Sequence, residues 1–209
     1  MSVRTVVTRS RKGYRGYFAS QKTARMVSWE SLGEWSAILL FEYSPGVVSY
    51  EEQPEEIWYP DGDRTRRYIP DFAITLGGEK VIHIEVKPAD KLLDPKMAGK
   101  YRAIATHYQN QGRFFRLLTE QDIYQEPLFS QLKLLSRHRR PWDGMDELLP
   151  AIQRQLRDAP LPMHALALEQ TTLLRLLAHG VLWCDLTGPL SPSTLISLAE
   201  RGSHEQVLF

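Results

Sequence analysis

Hydrophobic and polar positions alternate most clearly over residues 68–88, where two extended runs are joined at Gly77–Gly78. This spacing predicts a β-hairpin with a tight turn. In the second run apolar and polar side chains alternate, so Glu85 and Lys87 would project from the same face of one strand.

An acidic residue in the first run adds candidate chemistry to this hairpin. Asp71 follows Pro70, and pairing of the two runs would bring its carboxylate close to Glu85. Two carboxylates can hold a divalent metal ion, and a neighbouring lysine can position or deprotonate a metal-bound water. The pattern Pro-Asp…Glu-x-Lys therefore indicates a metal-dependent nuclease. The alternative is that Glu85 and Lys87 form a charge pair on a solvated face.

Helical periodicity precedes the hairpin. An apolar stripe with helical spacing predicts a helix that begins at Ser28 or Ser31 and ends near Tyr43. Glu30 and Glu34 lie one turn apart on it. Either could be a third metal ligand, or both could be ordinary first-turn acids that the helix dipole favours.

The rest of the first 125 residues mixes strands with one further helix. Strands are predicted at 47–53, 55–59, 66–69 and 113–118, and the helix begins at Asp90 or Asp94 and ends at Gly112. This order predicts a mixed α/β core in which helices pack against a sheet.

From about residue 125 leucine-rich helical periodicity replaces the strand pattern. Helices are predicted at 145–156, at 164–178 and from Ser191 onward. A compact helical domain with a short hairpin is compatible with a winged-helix module. A helical scaffold or a protein-docking domain is the alternative.

The distribution of charge along the chain says more about binding partners than the net charge of +1 does. Residues 1–25 contain seven Lys and Arg side chains and no acid, which predicts an extended basic arm over residues 1–27. Such arms attract phosphates, although a merely solubilising tail has the same composition. The residues that we expect to contact DNA are Arg9, Arg11, Lys12, Arg15 and Arg25 in the arm and Arg137, Arg139 and Arg140 farther along.

Composition excludes several other classes of protein. Cys184 is the only cysteine, so neither a disulfide framework nor a thiolate zinc cluster is possible. No apolar run approaches the roughly 20 residues of a membrane span, and the first residues do not resemble a signal peptide. We therefore expect a cytoplasmic bacterial protein without membrane partners, associated with the nucleoid when active.

Several longer stretches carry a family resemblance. They are Arg25–Val27, Glu30–Glu34, Ser44–Val48, Glu52–Pro54, Tyr68–Phe72 and Glu85–Pro88. Together they resemble the TnsA family, the endonuclease subunit of heteromeric Tn-seven-type transposases, some of which work with CRISPR-guided targeting complexes. The resemblance covers residues 9–125 well and the remainder loosely.

The resemblance implies a restriction-endonuclease-like catalytic domain over residues 28–125 and a smaller, mainly helical domain over residues 126–209. The implied catalytic set is Glu34, Asp71, Glu85 and Lys87, with Glu30 as the competing choice for the helix position. Mg²⁺, which Mn²⁺ would replace, is expected on Glu34, Asp71, Glu85 and the carbonyl of Val86.

The resemblance also implies a role. TnsA proteins cut the non-transferred strand at the 5′ ends of a transposon, so we expect double-stranded transposon ends, a TnsB-type transposase and a TnsC-type ATPase regulator as partners. Two alternatives stay open: a stand-alone restriction or repair nuclease, and a structural transposase subunit that does not cleave.

Overall fold

The computed structural model describes residues 14–199 and 207–209. These residues fall into two compact units, the first made of residues 14–123 with 207–209 and the second of residues 124–199. The chain therefore leaves the first unit and returns to it, whereas the sequence predicts residues 207–209 in the C-terminal domain. No helix among the described residues is both long and apolar enough to cross a lipid bilayer.

The first unit contains eight strands and four helices among its described residues. The strands are β1 (Gly16–Ser20), β2 (Arg25–Trp29), β3 (Val47–Glu52), β4 (Ile57–Asp61), β5 (Arg64–Tyr68), β6 (Phe72–Leu76), β7 (Val81–Val86) and β8 (Phe114–Leu118). The helices are α1 (Leu32–Tyr43), α2 (Ala89–Leu92), α3 (Pro95–Asn110) and α4 (Glu120–Ile123). The central sheet has the order β3-β6-β7-β8, with β7 and β8 parallel and the other pairs antiparallel. The predicted mixed α/β core is confirmed.

The predicted hairpin is the β6–β7 pair at the centre of this sheet. Phe72 lies opposite Ile84, and Gly78 supplies a left-handed turn residue at φ 79°. On one face Phe72 packs edge-to-face against Phe41 of α1, with ring centroids 5.4 Å apart. The other face is also covered, because His83 is buried and bonds to Tyr108 of α3 at 2.6 Å. The polar side of β7 is therefore not a solvated face.

Helix α1 is held at both ends. Ser31, rather than Ser28, is its N-cap, and its side chain accepts a hydrogen bond from the Glu34 N–H at 3.1 Å. At the other end the Lys22 ammonium donates to the carbonyls of Phe41 at 3.0 Å and Val47 at 2.6 Å, and to that of Ser44. The Phe41 and Ser44 carbonyls lie at the C-terminal end of α1, where the helix dipole favours a cation.

The prediction of an extended basic arm is wrong for the part of it that the structure describes, from residue 14 onward. Strands β1 and β2 pair antiparallel from Gly16 opposite Trp29 to Ser20 opposite Arg25, and Val27 is fully buried. This segment is therefore part of the first unit. Low apolar periodicity is misleading here because each short strand buries only one or two side chains. The expected DNA contacts Arg9, Arg11 and Lys12 lie outside the described residues.

The second unit combines three helices with three short strands. Its elements are α5 (Leu128–Arg137), α6 (Met145–Gln155), β9 (Leu161–Pro162), a 3₁₀ turn (Met163–Leu166), α7 (Gln170–Ala178), β10 (Leu182–Trp183) and β11 (Leu195–Leu198). The strands form an antiparallel sheet in the order β10-β11-β9.

One helix prediction in this unit is confirmed only in part, over Gln170–Ala178, and another is wrong. The predicted helix at 164–178 is interrupted at Ala167, which adopts a left-handed conformation with φ 49°. The predicted helix from Ser191 is instead a turn, closed by a 3.0 Å hydrogen bond from the Thr194 N–H to the Ser191 carbonyl, followed by β11. Ser, Pro and Thr favour turns as well as helix caps, and here pairing with two strands decides between them.

Candidate active site

Three of the predicted catalytic residues meet at the end of β7. Glu85 and Lys87 leave the strand together, with Lys87 Nζ 3.2 Å from Glu85 Oε1. Asp71, immediately before β6, reaches the same point, and its Oδ2 accepts a hydrogen bond from the Val86 N–H at 2.8 Å. The antiparallel pairing thus produces the predicted proximity of Asp71 to the Glu-x-Lys triplet.

The first turn of α1 brings Glu34 to this group. A Cβ atom added to Gly33 would lie 3.2 Å from Val86 Cγ1, so glycine permits the helix to approach the end of β7 closely. The negative charge of Glu34 acts on Asp71, which favours Glu34 over Glu30 for the helix position. Its carboxylate also accepts hydrogen bonds from the Glu30 N–H at 2.7 Å and the Ser31 hydroxyl at 3.0 Å.

The site carries an excess of negative charge. Burial raises the pKa of Asp71 well above its ordinary value, and the charges of Glu85 and Glu34 raise it further. Burial likewise raises the pKa of Glu34. Burial alone would lower the pKa of Lys87, but the charges of Glu85 and Asp71 outweigh it and raise that pKa. Lys87 is therefore a protonated cation at neutral pH.

Two tyrosines outside the predicted catalytic set contact Glu85. The Tyr68 hydroxyl donates to Glu85 Oε2 and the Tyr101 hydroxyl donates to Glu85 Oε1, both at 2.6 Å. Lys100 lies over both rings, 5.3 Å from the centroid of Tyr68 and 4.9 Å from that of Tyr101. One sequence signal existed: a tyrosine in an apolar helical stripe needs a partner for its hydroxyl when it is buried.

The donor atoms suit an oxygen-preferring divalent ion. Asp71, Glu85 and Glu34 supply carboxylates and Val86 supplies a carbonyl, which are the hard ligands that Mg²⁺ prefers. Among the described residues, however, no three His, Cys, Asp or Glu side chains are close enough together to hold a metal ion. The chemistry of the set fits Mg²⁺, and binding by all three carboxylates would require them to come closer together.

The described arginines expected to contact DNA differ in their surroundings. Arg25 pairs with Glu52 at 2.7 Å in the first unit. In the second unit Arg137 and Arg140 are exposed at the end of α5 and just after it, and Arg139 is half-buried between them. Arg15 is half-buried immediately before β1.

A match to a family model identifies part of the first unit. Residues 44–120 match the family model described as the TnsA-like endonuclease N terminal. The chain contains a TnsA-like endonuclease N-terminal domain. The match includes Asp71, Glu85 and Lys87, and it confirms the resemblance for this part of the chain. The comparison with curated proteins finds no match.

The TnsA-like domain indicates the fold of the core and the general type of reaction. It implies a restriction-endonuclease-like core, with which the mixed four-stranded sheet agrees. It also implies a hydrolase that cleaves phosphodiester bonds and acts on DNA. Glu34 lies ahead of the matched residues, so its place in the site comes from the contacts described above.

Proposed function

We propose that the chain is the Mg²⁺-dependent endonuclease subunit of a transposase and hydrolyses the non-transferred DNA strand at the 5′ ends of a transposon. The observation that supports this most directly is the meeting of Asp71, Glu85 and Lys87 at one strand end inside the TnsA-like domain. A scaffold has no need for three buried or half-buried charges at one place, since their desolvation is costly.

Each residue has a distinct part in the proposed reaction. Asp71 and Glu85 would bind Mg²⁺ or Mn²⁺, with Glu34 and the Val86 carbonyl as further oxygen ligands. The bound ion would supply an activated water and neutralise charge on the phosphate. Lys87 would orient the attacking water and stabilise the charge that develops on the phosphate. Because its pKa is raised, Lys87 suits this role better than that of a general base.

For the second unit we propose a winged-helix module. Its order of α6, β9, 3₁₀ turn, α7, β10 and β11, with β11 between the other two strands, supports this assignment. Five of the nine residues of α7 are buried, which leaves little surface for reading bases. The module would therefore bind phosphates through Arg137, Arg139 and Arg140, or contact a TnsB-type transposase or a TnsC-type ATPase.

Cleavage of a labelled transposon-end duplex tests the function. Wild type, Asp71→Ala and Lys87→Ala are assayed with Mg²⁺, alone and with the partner transposase, and Asp90→Ala serves as an exposed acidic control. We expect the 5′ strand to be cut in the presence of the partner. Both site variants should lose at least about 100-fold in rate, and Asp90→Ala should retain wild-type activity.

The same experiment distinguishes the alternatives. Cutting without any partner would favour a stand-alone restriction or repair nuclease. Complex formation without cutting by the wild-type protein would favour a structural subunit.

A further inference from the structure

We infer that Tyr68 and Tyr101 are positioning residues that hold the Glu85 carboxylate for metal binding. We call this pair, Tyr68 and Tyr101, the tyrosine clamp. The inference rests on the proposed function, since it takes Glu85 as a metal ligand, and it adds two residues that neither the motif nor the resemblance includes.

The clamp contacts both oxygens of the Glu85 carboxylate. One hydroxyl reaches each oxygen of Glu85, both at 2.6 Å, and Lys87 Nζ approaches Oε1 at 3.2 Å. Glu85 is only 4% exposed, so these donors replace the water that the carboxylate loses on folding. The two hydroxyls come from different elements, the end of β5 and the second turn of α3. Rotation of the carboxylate would break both bonds.

The clamp leaves Glu85 able to bind an ion. An ionised carboxylate offers about four lone-pair sites, and two hydroxyls with one ammonium use at most three of them. A ligand whose orientation is already fixed loses less conformational freedom when the ion binds. Partners that orient metal ligands in this way typically contribute 10- to 100-fold in metal affinity or activity.

A third tyrosine in the same buried cluster provides a matched control. Tyr108 is also buried and also engages its hydroxyl at 2.6 Å, but its partner is His83 Nδ1 rather than Glu85. Removal of the Tyr108 hydroxyl therefore costs a buried hydrogen bond of the same length and leaves the clamp unchanged.

Calorimetric titration of the full chain with Mg²⁺ tests the clamp. Wild type is compared with Tyr68→Phe, Tyr101→Phe, Tyr108→Phe and Asp71→Ala, and thermal unfolding of each variant is measured alongside. We expect Tyr68→Phe and Tyr101→Phe to bind Mg²⁺ about 10- to 100-fold more weakly, and Tyr108→Phe to stay within about threefold of wild type.

Strand cleavage at varied Mg²⁺ concentration provides the second readout. The clamp variants should need proportionally more Mg²⁺ for half-maximal cleavage and recover most of the wild-type rate when Mg²⁺ saturates. A purely structural role would instead lower the unfolding temperature and leave the half-saturating concentration unchanged, which would overturn the clamp.

The outcomes separate the clamp from the function on which it rests. Suppose that wild type binds Mg²⁺ and Asp71→Ala does not. If the clamp variants then behave like Tyr108→Phe, the inference about the clamp is wrong and the proposed function stands. If wild type binds no more Mg²⁺ than Asp71→Ala does, the metal assignment fails and the clamp fails with it.

Discussion

At the scale of single residues, the candidate site is defined by an imbalance of charge. Glu34, Asp71 and Glu85 act on one another electrostatically, and Lys87 is the cation among them. Burial of like charges disfavours the ionised state, so the site costs stability until a cation occupies it.

Removal of one charge should therefore stabilise the metal-free protein. We expect Asp71→Asn to raise the free energy of unfolding at pH 7 by about 1 kcal/mol or more, measured by urea denaturation in chelator. The pKa of Asp71 is higher in the folded than in the unfolded state, so its stabilising contribution is present at acid pH and lost as pH rises through the folded value. The difference between the two proteins should shrink as pH falls towards 4.

Mg²⁺ and a surface acid provide the controls for this prediction. If the ion binds as proposed, Mg²⁺ should stabilise wild type and leave Asp71→Asn unchanged, because only the folded site with all its carboxylates would bind it. Asp90→Asn should change neither quantity, since Asp90 is exposed. A metal-free Asp71→Asn protein that is less stable than wild type at pH 7 would contradict the charge argument.

Residues close in sequence could be predicted, and those joined only by the fold could not. Glu85 lies in β7 and Lys87 directly follows it, while Asp71 directly precedes β6, so period-two alternation and the predicted hairpin were enough to group them. Tyr68 reaches Glu85 from β5, which lies outside the central sheet, and Tyr101 reaches it from α3, and no local spacing encodes either contact.

At the scale of elements, α1 depends on a residue of another element for its C-terminal end. Lys22, in the turn between β1 and β2, donates to carbonyls at and beyond that end. In sequence it is indistinguishable from the other cations of the basic run, which the arm prediction assigned to phosphate binding. Its position at the C-terminal end of α1 follows only from the pairing of β1 with β2.

Lys22→Met should destabilise the first unit. We expect a loss of about 2 kcal/mol in the free energy of unfolding, because a charged donor and its bonds to partly buried carbonyls are removed while the apolar stem is kept. Chemical denaturation of the full chain measures the loss. Lys96→Met on α3 is the matched control, since Lys96 is exposed. Equal stability of the two variants would show that Lys22 does not hold the helix.

At the scale of the whole molecule, prediction is most accurate for the TnsA-like domain and least accurate in the second unit. Within residues 44–120 the predicted strands and the long helix all occur, because each has a clear period or a clear cap. In the second unit, β9, β10 and β11 are two to four residues long. Segments this short carry too little periodicity to outweigh a helix-cap pattern such as that at Ser191.

The arginines at the end of α5 and just after it should contribute to DNA affinity without selecting sequence. We expect the double variant Arg137→Ala, Arg140→Ala to weaken binding to transposon-end and unrelated duplexes alike, and to reduce the salt dependence of log affinity by about 1 to 2. Titration of fluorescent duplexes at several salt concentrations measures both effects. Arg154→Ala with Arg157→Ala, also exposed in the second unit, is the matched control. A comparable loss with the control pair would indicate a general effect of charge.

The return of the chain to the first unit has a practical consequence for anyone who isolates the nuclease. The Leu208 N–H bonds to Ser44 Oγ at 3.0 Å, and the Phe209 ring lies 5.4 Å from that of the buried Phe41. A fragment trimmed to the matched residues 44–120 would lack α1 and these last contacts. A minimal nuclease should instead keep residues 1–123 and receive residues 207–209 as a separate peptide.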